Sequence, residues 1–353
     1  MRLRLAIAAA VLFAPALVAR EFQSNPFLGS WNISATGPDK GKIYFLAVAE
    51  KDGRLGALFL DRTAHATPVA WIRVEDGELT WQYGGGGETL PKPSCGPVYH
   101  ARLENGQLIG HHETPGDPCP SAQRAGNAAP PRPAPHTVNW IGVRQPTWPP
   151  PNANGHHTYG KPITIVGSGV GKEVWTGLTP DSWQSPCEDR WTIDNGVMKN
   201  AVPAQGERPT CNPYTKERFS DFMIDADFNL DAEQNSGLYL RGRYELQLLL
   251  GENVSPATAG RQALMAIYGW KAADVYAGNP PGEWQILNAI VVGNHVTATL
   301  NGKRVHDNAV LRAFTGGALD ADELAPGPIM IQGDHSRVTF RKLIVTPITK
   351  AGM

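Results

Sequence analysis

Apolar and polar residues alternate in short runs along most of this 353-residue chain. Between Phe27 and Arg144 the runs are Lys42–Glu50, Arg54–Leu60, Pro68–Val74, Glu78–Tyr83, Val98–Leu103 and Gln107–Glu113. Side chains of a strand point alternately to opposite faces, so a period of two predicts half-buried strands. Lys51-Asp52-Gly53, Glu75-Asp76-Gly77 and Glu104-Asn105-Gly106 separate them with residues suited to hairpin turns. A meander of about eight such strands predicts a small up-and-down barrel over residues 21–145. Within it Ser121–Pro135, rich in Ala, Pro and Arg, reads as a surface loop.

The stretch Pro146–Pro162, PTWPPPNANGHHTYGKP, has no apolar period and predicts a linker. Alternation resumes over 163–350. It includes a hairpin at Trp191–Asn200, Phe219–Leu230, Leu264–Gly269, Glu283–Val292, a hairpin at His295–Val305, Gly327–Gln332 and Arg337–Pro347. Strands joined by long loops favour a two-sheet jelly roll, so the whole chain reads as all-β. One run stands out, NSGLYLRGRYELQ at Asn235–Gln247. Leu238, Leu240, Tyr244, Leu246 and Leu248 share one parity and predict a core face. Tyr239, Arg241, Arg243, Glu245 and Gln247 share the other, a polar face equipped to grip a polyhydroxylated ligand.

Composition narrows the picture. Arg2 and Arg4 precede an apolar run from Leu5 to Val18 that ends in small residues near Ala19. At about 14 residues it is short for a membrane span and has the layout of a secretory signal over 1–20. The expected location is periplasmic or secreted, with no membrane association beyond the export signal. Charge is balanced, with 32 basic and 33 acidic residues, so no nucleic-acid footprint is present. The four cysteines fall at 95, 119, 187 and 211, each pair 24 residues apart. In an exported protein this predicts one bridge per domain, Cys95–Cys119 and Cys187–Cys211, although three pairings are open. Each would be worth about 3 kcal/mol in the chain-entropy model.

Gly29-Ser30-Trp31 opens the first strand and Arg144 ends the last. This resembles the lipocalin-type arrangement, in which an arginine stacks on the tryptophan and plugs one end of the barrel. A second resemblance covers Val174–Ile348. Phe219-Ser220-Asp221-Phe222, the NSGLYLRGRYELQ run, Ile267-Tyr268-Gly269, Pro281-Gly282-Glu283-Trp284, Leu300-Asn301-Gly302, GPIMIQGDH (Gly327–His335) and Val338-Thr339-Phe340-Arg341 occur in that order. Together they resemble the bacterial 3-keto-disaccharide (3-keto-glycoside) hydrolase domain, a concanavalin-like jelly roll.

That resemblance implies a substrate whose C3 has already been oxidised to a ketone, and hence a sugar C3 dehydrogenase as functional partner. A C3 ketone acidifies the C2 proton, so a base can form an enolate and the C1 substituent can leave, after which water adds. Glu245 is the carboxylate of the polar face, and its readings are general base, metal ligand or partner of an arginine. Arg241, about 13 Å along an extended strand from Glu245, is a candidate for enolate charge or ring hydroxyls. His335 suits proton transfer or metal ligation. Asn235, Tyr239, Gln247, Tyr268, Trp284 and Gln332 are candidates for holding the sugar, and Ser236 for orienting it. Glu245, His335 and Asp334 would make a mixed O/N set for one divalent metal ion. His111-His112 and His156-His157 are assigned to solvent. Laminarinase-type enzymes carry ExDxxE on one strand, and Tyr244-Glu245-Leu246-Gln247 lacks that carboxylate pair, which disfavours ordinary glycosidase chemistry. The rival reading is a non-catalytic carbohydrate-binding protein.

Overall fold

The structure, a computed structural model, describes residues 25–61, 65–83, 96–114, 134–149, 157–176, 191–200, 212–231, 234–251, 253–333 and 335–350. The expected signal at 1–20, both expected bridges (Cys95–Cys119 and Cys187–Cys211), His156 and Asp334 lie outside these residues.

The first domain is a meander of β1 (Gly29–Ala35), β2 (Ile43–Lys51), β3 (Arg54–Leu60), β4 (Thr67–Pro68), β5 (Trp71–Glu75), β6 (Glu78–Gln82), β7 (Val98–Glu104), β8 (Gln107–Thr114) and β9 (His136–Arg144). All pairings are antiparallel, and β1 pairs with β9 as well as with β2. Closure comes from the bent segment β4–β5. Val69 N–H donates to Ala57 O of β3, and Ala70 N–H donates to Gln82 O of β6, at 3.0 and 2.9 Å. Counting that segment as one bent strand leaves about eight, the size at which side chains just fill a barrel interior. Asp52-Gly53, Asp76-Gly77 and Asn105-Gly106 turn with both residues left-handed, as hairpins require.

Trp31, Phe59, Leu79, Trp81, Tyr99 and Trp140 occupy the barrel interior. Arg144 lies 3.7 Å from the centre of the Trp31 ring and donates to the carbonyls of Leu28 and Pro26, so the lipocalin-like plug is built as the sequence implies. His112 departs from its expected solvent position. It sits on the inward parity of β8, 4% exposed, edge-on to Tyr44. Burial pushes its pKa down to about 4. Its neighbour His111 faces out.

The second domain has two sheets. The larger runs β13 (Trp191–Asp194), β14 (Val197–Asn200), β23 (Thr339–Lys350), β16 (Phe222–Asn229), β19 (Trp284–Val292), β20 (His295–Leu300), β21 (Lys303–Val310). The smaller runs β12 (Trp175–Thr176), β15 (Tyr214–Thr215), β22 (Met330–Ile331), β17 (Asn235–Leu240), β18 (Tyr244–Leu249). Phe222, Ile224, Ala226 and Phe228 from one sheet meet Leu238, Leu240, Leu246 and Leu248 from the other in a hydrophobic core. β10 (His157–Tyr159) and β11 (Ile163–Val166) also pair with β23. The segment expected as a free linker through Pro162 is therefore partly a sheet edge, and His157 is half-buried in it.

The domains share an apolar seam in which Ile43, Phe45, Leu60 and Ala66 of the barrel pack on Ala313 and Phe314. A polar knot lies beside it. Asn32 and Gln145 of the barrel donate to Glu323 Oε1 at 2.9 and 3.0 Å, and Tyr244 donates to Glu323 Oε2 at 2.8 Å. Burial raises the pKa of Glu323, opposed by those three donors.

Candidate active site

Asn235–Gln247 is a hairpin, not the single strand that its unbroken parity predicts. Leu240 and Tyr244 pair across the turn, and so do Tyr239 with Glu245 and Gly237 with Gln247. Arg241 and Gly242 take left-handed φ of 55° and 65°, and Arg243 N–H closes the turn on Leu240 O at 3.1 Å. A three-residue loop keeps the parity of both arms, so alternation alone cannot reveal the reversal. The 13 Å strand separation between Arg241 and Glu245 is replaced by a turn.

That turn redirects Arg241. Its Nε donates to Ser220 O at 2.5 Å, Nη1 to Gly293 O at 2.7 Å and Nη2 to Asp221 Oδ1 at 3.2 Å. The guanidinium is 2% exposed, with the Trp148 ring 5.3 Å away. It pins a strained left-handed residue to the ends of β16 and β19 in the larger sheet. Arg243, fully buried, binds Asp320 Oδ1 at 2.6 Å and Ala325 O at 2.8 Å.

The remaining polar positions converge. The turn-rich segment 263–268 lies along β18 through an antiparallel bridge between Leu246 and Ile267: Tyr268 N–H donates to Glu245 O and Gln247 N–H to Ala266 O, at 3.0 and 2.9 Å. On the other flank Tyr239 pairs with Met330, which pairs with Tyr214, and Gln332 N–H donates to Gly237 O at 2.8 Å. Paired residues of antiparallel strands project to the same face. One row across the smaller sheet therefore reads Tyr214, Met330, Tyr239, Glu245, Tyr268. The next reads Gln332, Gly237, Gln247, Ala266. Both turn away from the core between the sheets.

Glu245 is 3% exposed and well held. The Tyr239 hydroxyl lies 2.9 Å from its Oε2 and 2.8 Å from Gly316 O. With its nitrogen turned inward, the Gln247 amide donates to Glu245 Oε1 at 3.3 Å and to Ser236 O at 3.2 Å. Glu245 N–H donates to Thr315 Oγ1 at 3.0 Å. Gly237 makes room for the carboxylate, since a Cβ there would sit 2.2 Å from Glu245 Oε1. Tyr268 is half-buried, and burial and the nearby Glu245 charge raise its pKa, so its hydroxyl stays protonated. The Gln332 Oε1 is buried with no partner among the described residues.

The other candidates are dispersed. Asn235 opens β17 on the Tyr239 parity, tied through its backbone carbonyl to Ser336 Oγ at 2.7 Å. Ser236 turns to the core side and donates to Gln332 O at 2.7 Å. His335 is exposed, next to that Ser336 and so at the open end of the hairpin. Trp284 lies on the larger sheet, paired with Asn229 on its outward parity, under the Arg341 guanidinium at 4.3 Å. The structure places it away from the Tyr239–Glu245 row. Among the described residues no three His, Cys, Asp or Glu side chains gather as a metal site. Of the expected set, Glu245 and His335 are described and Asp334 is not, so the described residues do not by themselves hold an ion. Thr315 and Gly316, which grip the hairpin from outside it, were not candidates; only the Thr315-Gly316-Gly317 run hints at a close backbone approach.

Residues 171–346 match the family described as the 3-keto-alpha-glucoside-1,2-lyase-like domain. The second domain belongs to that family. No curated protein shows significant similarity to the chain. Among solved structures, a candidate glycosyl hydrolase of Parabacteroides distasonis ATCC 8503 is 19% identical, with 65% of this chain and 96% of that one covered at a TM-score of 0.39. The CBM66 carbohydrate-binding module of Bacillus subtilis is 12% identical, covering 50% and 96%, at 0.31. A Bacillus licheniformis beta-glucanase is 10% identical, covering 54% and 99%, at 0.34. No activity is carried over from these three. The fold is a two-sheet jelly roll preceded by a barrel.

Proposed function

We propose that the 3-keto-alpha-glucoside-1,2-lyase-like domain cleaves 3-keto-glycosides, with Glu245 as the base that takes the C2 proton. The observation that carries this reading is the Tyr239 hydroxyl, which has one proton and two acceptors in reach, Glu245 Oε2 and Gly316 O. While Glu245 is ionised, Tyr239 donates to it. Once Glu245 has gained a proton it donates to Tyr239, whose own proton turns to Gly316 O. Both protonation states are hydrogen-bonded, which is what a buried proton acceptor needs.

The electron pair left at C2 forms the C2=C3 enolate with its charge on O3. It then expels the C1 substituent, which leaves with a proton, and water adds across the resulting C1=C2 bond to restore the 3-keto sugar. Tyr268, kept protonated, is placed beside the base to hydrogen-bond the departing oxygen. Gln332 and Gln247 supply amides for ring hydroxyls. His335 stands where a sugar unit extending past Gln332 would meet it. A divalent ion, if one is bound, would polarise the C3 carbonyl. Such a substrate requires a sugar C3 dehydrogenase upstream, and an exported chain would meet it outside the cytoplasm.

The test is Glu245→Gln. Release of glucose-type product from 3-keto-trehalose or a 3-keto-glucoside should fall by about 10²–10⁴-fold, with sugar binding retained. Wild-type protein that binds these compounds but releases no product, with or without divalent metal, would leave a carbohydrate-binding protein as the surviving reading.

A further inference from the structure

The row that carries Glu245 does not end within the jelly roll. Tyr268 is its last member, and the barrel meets Tyr268 directly. His65, between β3 and β4, stands edge-on to the Tyr268 ring, with centroids 6.1 Å apart and planes at 89°. Its Nδ1 is 3.3 Å from Gln262 Nε2. Gly269 is shaped to admit it: φ is +72°, and a Cβ there would fall 2.2 Å from the His65 Cβ. Three residues of segment 262–269 thus converge on one barrel side chain. The join is firm, because Trp270 packs edge-on to Phe45 of β2 at 5.6 Å and donates from Nε1 to Phe314 O at 3.1 Å.

We propose that the barrel supplies one wall of the sugar site, with His65 fixing the Tyr268 ring and framing beside it a second subsite. Its occupant is the ring attached to C1 of the keto sugar. This rests on the reading of Glu245 as the base for a 3-keto-glycoside. Adjacent strands lie about 4.8 Å apart. A keto sugar that reaches Glu245 from the Tyr268 side therefore brings a C1-linked neighbour over Tyr268, a half-buried aromatic face suited to stack on it. Tyr239 and Glu245 are buried while Tyr268 and His65 are half-buried, so the approach to Glu245 runs past Tyr268 and His65. His65 acts through Tyr268 and is a positioning residue. The substrates this geometry favours are two-ring compounds, 3-keto-disaccharides or glycosides with a ring aglycone, over those with a small alkyl group at C1.

Calorimetric binding to the full chain carrying Glu245→Gln separates the cases. Two ligands are compared, 3-keto-trehalose and methyl 3-keto-glucoside, with His65 intact, as His65→Ala and as His65→Phe. His65→Ala should weaken the two-ring ligand by about three- to tenfold and leave the methyl glycoside unchanged. His65→Phe, which keeps an aromatic edge against Tyr268, should recover most of that loss. Equal weakening of both ligands, no weakening of either, or a Phe variant no better than Ala would overturn the proposal. Because the readout is binding, failure of the base assignment appears separately, as wild-type protein that binds both ligands and cleaves neither.

Discussion

In the barrel, His112 is buried edge-on to Tyr44, and the indole nitrogens of Trp81 and Trp140 have no partner among the described residues. In the jelly roll, Glu245 is buried to the same degree, yet its carboxylate faces a tyrosine hydroxyl, a glutamine amide and a glycine that clears space for it. The barrel buries polar groups as by-products of filling its interior with large rings. The jelly roll buries a charge-bearing group with hydrogen-bond partners for both protonation states. Burial alone therefore does not mark a site, and neither do donors around a buried acid, since Glu323 has three of them in the domain seam; Glu245 differs in facing a hydroxyl that has a second acceptor in reach.

The largest effect that would sharpen this contrast belongs to His112. Burial keeps it neutral, with a folded pKa of about 4 against roughly 6.5 in the unfolded chain. Its contribution is complete above pH 6.5 and is lost as pH falls through 4. The loss amounts to about 3 kcal/mol at a difference of roughly 2.5 units. Thermal unfolding from pH 7.5 to pH 4 should show wild type declining more steeply than His112→Phe, which keeps the aromatic packing and cannot titrate. Parallel curves would mean that His112 is not held as packing.

Next is Gly237→Ala. Its Cβ would meet Glu245 Oε1 at 2.2 Å, so the carboxylate must move or the hairpin must spread. Overpacking of this kind costs about 1–3 kcal/mol. The comparison predicts a fall in turnover together with that destabilisation, read by kinetics beside a melting curve. Full turnover with lowered stability would put Glu245 on the packing side of the contrast.

Legibility followed the same division. Barrel strands are visible because one face is apolar and three of the turns carry Asp-Gly or Asn-Gly; Arg54–Leu60 is bounded as its pattern predicts. The jelly-roll core was visible for the same reason. The reversal at Arg241-Gly242 was hidden because a three-residue loop preserves alternation. Trp284 was misleading because a strand's sequence shows its parity but not its sheet. The partners of the row were out of reach altogether: Gly316 lies 71 positions beyond Glu245 and His65 lies in the other domain. Contacts of that separation are set by sheet register and domain packing, and a single sequence holds no periodic trace of them.

The smallest effects come from two neighbours at the end of β9. Arg144 faces into the barrel end, stacked on Trp31 and bonded to two carbonyls. Gln145 turns out, bonding Arg312 O at 2.7 Å and Glu323 Oε1 at 3.0 Å across the domain seam. Each alanine variant should lower stability by about 1 kcal/mol. Only Gln145→Ala touches the Glu323 knot, which also holds the Tyr244 hydroxyl at 2.8 Å, one residue from Glu245. It should therefore raise amide exchange of the hairpin backbone, while Arg144→Ala raises exchange in β1 and β9 alone. Equal exchange patterns from the two variants would show that the barrel and the hairpin loosen as one unit, and the contrast between a packing domain and a site domain would then be one of composition rather than mechanics.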